Sequence, residues 1–260
     1  MNAKVWLVGA GPGDPELLTL KAVRALRSAD VVMIDSLVNP AVLEHCPTAN
    51  VIGVGKRGGC RSTPQAFIQR LMLRYARQGK CVVRLKGGDP CIFGRGSEEA
   101  DWLRERSIEV ELVNGITAGL AGATHCDIPL TLRGVARGVT LVTAHTEDDS
   151  ALNWQALAQS GTTLVVYMGV AKLEDVRRAL LAGGMAASTP VAMIENASLP
   201  QQRACYSDLT GMYDAAVGFA LKAPAVLVIG DVAARGASQE VFSQDQRAMA
   251  LALERARMQG

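Results

Sequence analysis

Two short segments of this chain hold residue types that can do chemistry. Gly9-Ala10-Gly11-Pro12-Gly13-Asp14-Pro15 follows the strand-like run Val5-Trp6-Leu7-Val8. Gly87-Gly88-Asp89-Pro90, continuing through Cys91 into Ile92-Phe93-Gly94-Arg95-Gly96, follows Val82-Val83-Arg84-Leu85-Lys86. A strand feeding a glycine-rich turn is where open α/β sheets bind ligands, because glycine lets the backbone approach closely and the strand ends open onto a crevice. Two such turns in one half of the chain predict a shared small-molecule site. The first begins Gly-x-Gly, and Asp35 ends a later strand-like run near the distance where a dinucleotide site places its ribose-binding acid. The third glycine of that fingerprint is misplaced, however, and Pro12 removes an N–H from a loop that would offer N–H groups to pyrophosphate. Asp89 would repel phosphate but accept hydrogen bonds from ribose hydroxyls or an ammonium group. A ligand without phosphate fits both turns better.

Basic residues bunch beside these turns: Lys56, Arg57 and Arg61, then Arg84, Lys86 and Arg95, then Arg133 and Arg137. The bunches suit an anionic small substrate, the alternative being a solvated basic face. A net charge of +2 over 260 residues gives no overall nucleic-acid footprint. The six cysteines contain no Cys-x-x-Cys pair and the three histidines stand apart, so no metal site is indicated. No basic-then-apolar leader and no apolar run near ~18 residues is present, which excludes a membrane span and predicts a reduced, cytoplasmic protein.

The elements that must position these residues alternate. Strands are predicted at Val5–Gly9, Asp30–Asp35, Asn50–Gly55, Cys81–Gly87, Glu109–Val113, Thr140–Ala144, Thr162–Met168, Val191–Glu195 and Ala225–Gly230. Helices are predicted at Glu16–Ser28, at Pro64–Arg77 with Thr63 as cap and Gly79 as stop, and at Glu98–Arg106, Leu173–Ala182 and Asp208–Leu221. Strands separated by helices imply parallel sheets. The small-residue stretch Asn114 to Gly138 breaks the rhythm, giving an N-terminal α/β domain over 1–114 and a C-terminal one over 115–260. The tail from Gln239 to Met258 reads as an amphipathic helix for packing or dimer formation.

The ordered set Val8 to Leu20, Gly55-Lys56-Arg57, Val82 to Glu99, Asn114 to Ala118, Ile128 to Arg133 and Thr163 to Gly169 resembles the tetrapyrrole methyltransferases. The resemblance runs from about Val5 to Gly230. It implies two α/β domains with mostly parallel sheets and an inter-domain cleft, usually in a homodimer. It also implies methyl transfer from S-adenosylmethionine, without a metal, to uroporphyrinogen III at C-2 and C-7, giving precorrin-2, a precursor of sirohaem, cobalamin or haem d1. By resemblance the cofactor contacts Pro12, Gly87, Gly88, Asp89, Ile92, Thr117, Ala118, Met168, Ala197 and Ala225. Asp35 is the implied base and Lys56 the proton donor, while Arg95, Glu98 and Arg133 match substrate-binding positions. These implications agree with the residues: the cofactor carries a sulfonium, a ribose and an amino acid but no phosphate, and eight substrate carboxylates suit arginine and lysine.

Four positions depart from the family pattern. Ile34 stands where Tyr is common, Cys91 where Phe is usual, Asn114 where Pro precedes the glycine, and Leu132 where His precedes Arg133. The cofactor turns are intact, while Leu132 beside Arg133 and Ile34 before Asp35 bear on the substrate pocket. Rival readings are a related tetrapyrrole as substrate, a nicotinamide-dependent oxidoreductase using the first turn with Asp35, and a non-catalytic cofactor sensor.

Overall fold

The computed structural model describes residues 4–55, 63–145 and 152–237. Lys56, Arg57, Arg61 and the tail pattern Gln239 to Met258 lie outside them. The chain divides into two compact units, Met1–Ala118 and Gly119–Gly260.

The first unit runs β1 (Lys4–Gly9), α1 (Leu20–Arg27), β2 (Val31–Ile34), β3 (Asn50–Gly53), α2 (Gln65–Arg77), β4 (Val82–Lys86), α3 (Gly96–Arg104) and β5 (Glu109–Val113). Its sheet has the order β3-β2-β4-β1-β5, and every pairing is parallel. Strand alternation splits the core over two faces. Val8, Val32, Val83 and Leu85 pack with Ala22, Ala25 and Leu26 of α1. Val5, Leu7, Val31, Met33 and Val82 pack with Ile68 and Met72 of α2 and Ala100 and Leu103 of α3. Both faces of the inner strands are covered, which is why β1 and β2 read as apolar runs. All five strand ends therefore lie on one edge, where ligands bind in such sheets.

Helix starts differ from expectation. Pro15–Leu17 is a single 3-10 turn, Thr19 is extended, and its hydroxyl caps α1 by accepting from Ala22 N at 3.1 Å. Thr63 does not cap α2, whose flanking residue is Pro64 without a side-chain cap. The third helix begins at Gly96, after Arg95 in the left-handed region at φ 57°.

From the boundary onward come α4 (Ala118–His125), β6 (Val139–Thr143), α5 (Trp154–Ala158), β7 (Thr163–Tyr167), α6 (Leu173–Ala182), β8 (Pro190–Glu195), β9 (Arg203–Asp208), α7 (Met212–Phe219) and β10 (Ala225–Ile229). The sheet order is β6-β7-β10-β8-β9. Only β6 and β7 pair in parallel, while β10 is antiparallel to both neighbours and β8 is antiparallel to β9. The all-parallel pairing of the first unit thus does not extend to the second. The β8–β9 connection is the reason: Asn196 and Ser198 at φ 53° and 62° turn the chain back directly, with no crossover helix. The core here is Leu164, Val166, Leu173, Val176, Leu180, Met193, Leu209, Met212, Leu227 and Ile229. Asp208 ends β9, and its Oδ1 accepts from Gly211 N at 2.8 Å, so the helix expected from Asp208 starts at Met212.

Candidate active site

The two glycine turns meet at the strand ends of the first unit. Gly11 N donates to Gly88 O at 3.2 Å and Gly88 N to Gly11 O at 2.7 Å, while Ala10 N donates to Lys86 O at 2.7 Å. The turn after β5 joins them: a Cβ on Gly9 would stand 2.6 Å from Gly115 N and 2.6 Å from Gly88 O, so only glycine allows these backbones to touch. Asp89 fastens the group. Its Oδ2 accepts from Gly115 N at 3.0 Å and Asn114 Nδ2 at 3.2 Å, and its Oδ1 from Cys91 N at 2.7 Å. Thr117 is buried beside Gly88, whose added Cβ would lie 3.7 Å from Thr117 Cα. Pro12, Gly87, Gly88, Asp89 and Thr117 are thus brought to one edge, with Ile92 in the turn after Asp89 and Ala118 opening α4. In this glycine-lined cradle the N–H groups of Ala10, Gly11 and Gly88 are already used. That suits a ligand without phosphate and does not suit pyrophosphate.

Asp35 lies just past the end of β2, about one-third exposed, with its N–H bonded to Leu85 O at 3.1 Å. Its Oδ2 accepts from Arg84 Nη2 at 2.8 Å and lies 4.0 Å from Lys86 Nζ. Arg84 and Lys86 are buried on the α2/α3 face of β4, and Arg84 Nη1 also donates to the carbonyls of Met33 and Leu85 at 3.4 and 3.3 Å. Lys86 Nζ donates to Glu99 Oε1 at 3.1 Å, and Gln65 Nε2 to the same oxygen at 2.7 Å. Burial, followed by the neighbouring Arg84 charge, lowers the Lys86 ammonium from its ordinary range, and Glu99 and Asp35 oppose this. Arg84 and Lys86 are therefore neither a solvated face nor open to a substrate; they form a buried charge network behind Asp35. Sequence reasoning missed Glu99 as its counter-charge. The signal was present: a strand covered on both faces should be apolar, yet β4 alternates Arg84 and Lys86 with Leu85.

The implied substrate residues sit apart from that network. Arg95 is exposed and donates to Glu98 Oε2 through Nε at 3.0 Å and Nη2 at 2.8 Å. Arg133 is exposed in the turn closed by the Leu132–Ala136 bridge of the second unit. Met168, Ala197 and Ala225 gather at one end of the second sheet, since Val226 pairs with Tyr167 and Ala225 with Glu195. Met168 is exposed at φ 53°, and Ala197 is buried. The buried Glu195 carboxylate braces this end by accepting from Lys222 N at 3.0 Å and Arg203 Nη2 at 2.7 Å. Tyr167 was also unforeseen. Its hydroxyl accepts from Gly119 N at 2.9 Å in the first turn of α4. Among the described residues no cluster of potential metal ligands is found, and no helix is long and apolar enough to cross a membrane.

A family model for tetrapyrrole (corrin/porphyrin) methylases matches residues 4–210. A uroporphyrinogen-III C-methyltransferase of Pseudomonas fluorescens is 73% identical over 241 residues, spanning 93% of this chain and 98% of that protein. The enzyme of the same name from Bacillus subtilis is 41% identical over 88% of this chain and 90% of its own length. A crystal structure of the uroporphyrin-III C-methyl transferase from Thermus thermophilus complexed with S-adenyl homocysteine has a TM-score of 0.76 at 41% identity, covering 88% of this chain and 98% of that one. With both units, the glycine cradle and the sequence pattern in agreement, the chain belongs to the tetrapyrrole methylase family.

Proposed function

We propose that this protein is an S-adenosylmethionine-dependent C-methyltransferase that converts uroporphyrinogen III to precorrin-2 by methylation at C-2 and C-7. The observation that carries this reading is 73% identity, over nearly the whole of both chains, to a uroporphyrinogen-III C-methyltransferase. The glycine cradle supports it independently, being shaped for close approach with the N–H groups of Ala10, Gly11 and Gly88 already engaged.

S-adenosylmethionine, when bound, supplies an electrophilic methyl on a sulfonium. The residues assigned to it are Pro12, Gly87, Gly88, Asp89, Ile92, Thr117 and Ala118 of the first unit and Met168, Ala197 and Ala225 of the second. The chain's own chemistry is positioning, charge recognition and proton transfer. Arg95, Glu98 and Arg133 are assigned to the substrate, and Asp35 to the proton that leaves the tetrapyrrole. Arg84 holds Asp35 Oδ2, while Oδ1 has no hydrogen-bond partner among the described residues and is oriented by that anchoring. Lys56, outside the described residues, is assigned as proton donor. A cytoplasmic homodimer is part of the same proposal.

Calorimetric titration separates this reading from the oxidoreductase. S-adenosylhomocysteine is expected to bind saturably and NADH to give no binding heat, because the N–H groups a pyrophosphate needs are taken by Gly88 O, Gly11 O and Lys86 O. Saturable NADH binding without S-adenosylhomocysteine binding would contradict it.

A further inference from the structure

Glu99 is a completely buried carboxylate with no place yet in the chemistry. Its two oxygens are used unequally. Gln65 Nε2 and Lys86 Nζ both donate to Oε1, and Arg84 Nε stands 3.6 Å from it, whereas Oε2 and Arg84 Nε have no hydrogen-bond partner. Such buried, half-satisfied groups are costly, so their retention calls for a reason beyond packing.

The charge arrangement supplies one. Two cations, Arg84 and Lys86, meet two anions, Asp35 and Glu99. Arg84 bonds Asp35 at 2.8 Å, but Lys86 bonds Glu99 and stays 4.0 Å from Asp35. We propose that Glu99 is a positioning residue for methyl transfer: by holding Lys86 back at 4.0 Å, it leaves the Asp35 carboxylate hydrogen-bonded to Arg84 alone. The proposal rests on Asp35 being the base. The charged groups facing Asp35 among the described residues are Arg84 and Lys86 from β4, with Glu99 of α3 behind them; α2 contributes the neutral Gln65, and β2 only the Met33 carbonyl. Without the Glu99 charge, Lys86 has a single anion left to meet. Its flexible stem lets the ammonium close the gap to Asp35. A carboxylate gripped by two cations gives up its lone pairs to a proton less readily.

Glu99→Gln is therefore expected to bind S-adenosylhomocysteine as the parent does and to lose about tenfold in kcat, with the acid limb of the kcat–pH profile moved to lower pH. A purely structural role would lower the yield of folded enzyme and leave the limb in place. The double variant Glu99→Gln with Lys86→Gln removes the freed cation and leaves only the Arg84–Asp35 pair, so it should return the limb to the parent's position and recover most of the lost turnover. It carries the test alone if the single variant does not fold. A parent-like profile in Glu99→Gln, or a double variant whose limb stays displaced or whose turnover does not recover, would overturn the proposal. Asp35→Asn measured alongside separates the two readings: full turnover there removes the base assignment, whereas lost turnover there with a parent-like Glu99→Gln removes only the role of Glu99.

Discussion

Asp35→Asn is expected to bind S-adenosylhomocysteine normally and to lower turnover about 100-fold or more, the loss typical when a general base is removed. The amide fills the same space but cannot take the proton, so the loss should fall on kcat. The substitution also breaks an ion pair with Arg84, which is 2% exposed. Breaking a fully buried pair costs about 3–5 kcal/mol, but Asp35 is partly open to water, so a smaller stability loss is expected. Steady-state kinetics well below the unfolding temperature keeps the two effects apart. Turnover within twofold of the parent would remove Asp35 from the chemistry.

Gly88→Val is expected to weaken cofactor binding by about 10- to 30-fold. Gly88 sits at φ +66°, a conformation that a β-branched residue adopts only under strain. Space is not the obstacle, since the nearest atom to an added Cβ is Thr117 Cα at 3.7 Å. The torsion is. If the backbone relaxes to negative φ, the reciprocal Gly11–Gly88 hydrogen bonds are lost and the two turns separate. The variant keeps the torsion at a strain of about 1–2 kcal/mol or relaxes and loses two hydrogen bonds of about 1 kcal/mol each, and either route corresponds to a loss of about 10- to 30-fold in affinity. Calorimetry with S-adenosylhomocysteine measures it, and parent-like affinity would show that this turn does not form the cofactor site.

How far the sequence was legible depended on where each signal lies along the chain. The inner strands β1 and β2 were readable because burial on both faces makes them apolar runs, and the edge strand Glu109–Val113, with its alternating Glu-Val-Glu-Leu-Val, was placed to the residue. The edge strand β9, Arg203–Asp208, was missed, since its half-exposed Arg-Ala-Cys-Tyr-Ser-Asp has neither a run nor a clean alternation. So was α4, whose glycines and alanines carry no amphipathic stripe. The glycine turns announced a site because their chemistry is local. The charge network did not, because Asp35, Arg84 and Glu99 lie on different elements, and only the Met33–Arg84 register and the covering of β4 by α3 bring them together. Asp89 shows the same limit. Its type suggested a ligand acceptor, but that its carboxylate fastens the Asn114–Gly115 turn follows only once β5 lies beside β1.

The most direct measurement supplies the purified protein with S-adenosylmethionine and anaerobically prepared uroporphyrinogen III and follows the tetrapyrrole by mass spectrometry. A singly methylated intermediate that gives way to a dimethylated product identified as precorrin-2 is expected. No methylated tetrapyrrole, with S-adenosylhomocysteine binding intact and a control enzyme active under the same conditions, would contradict it.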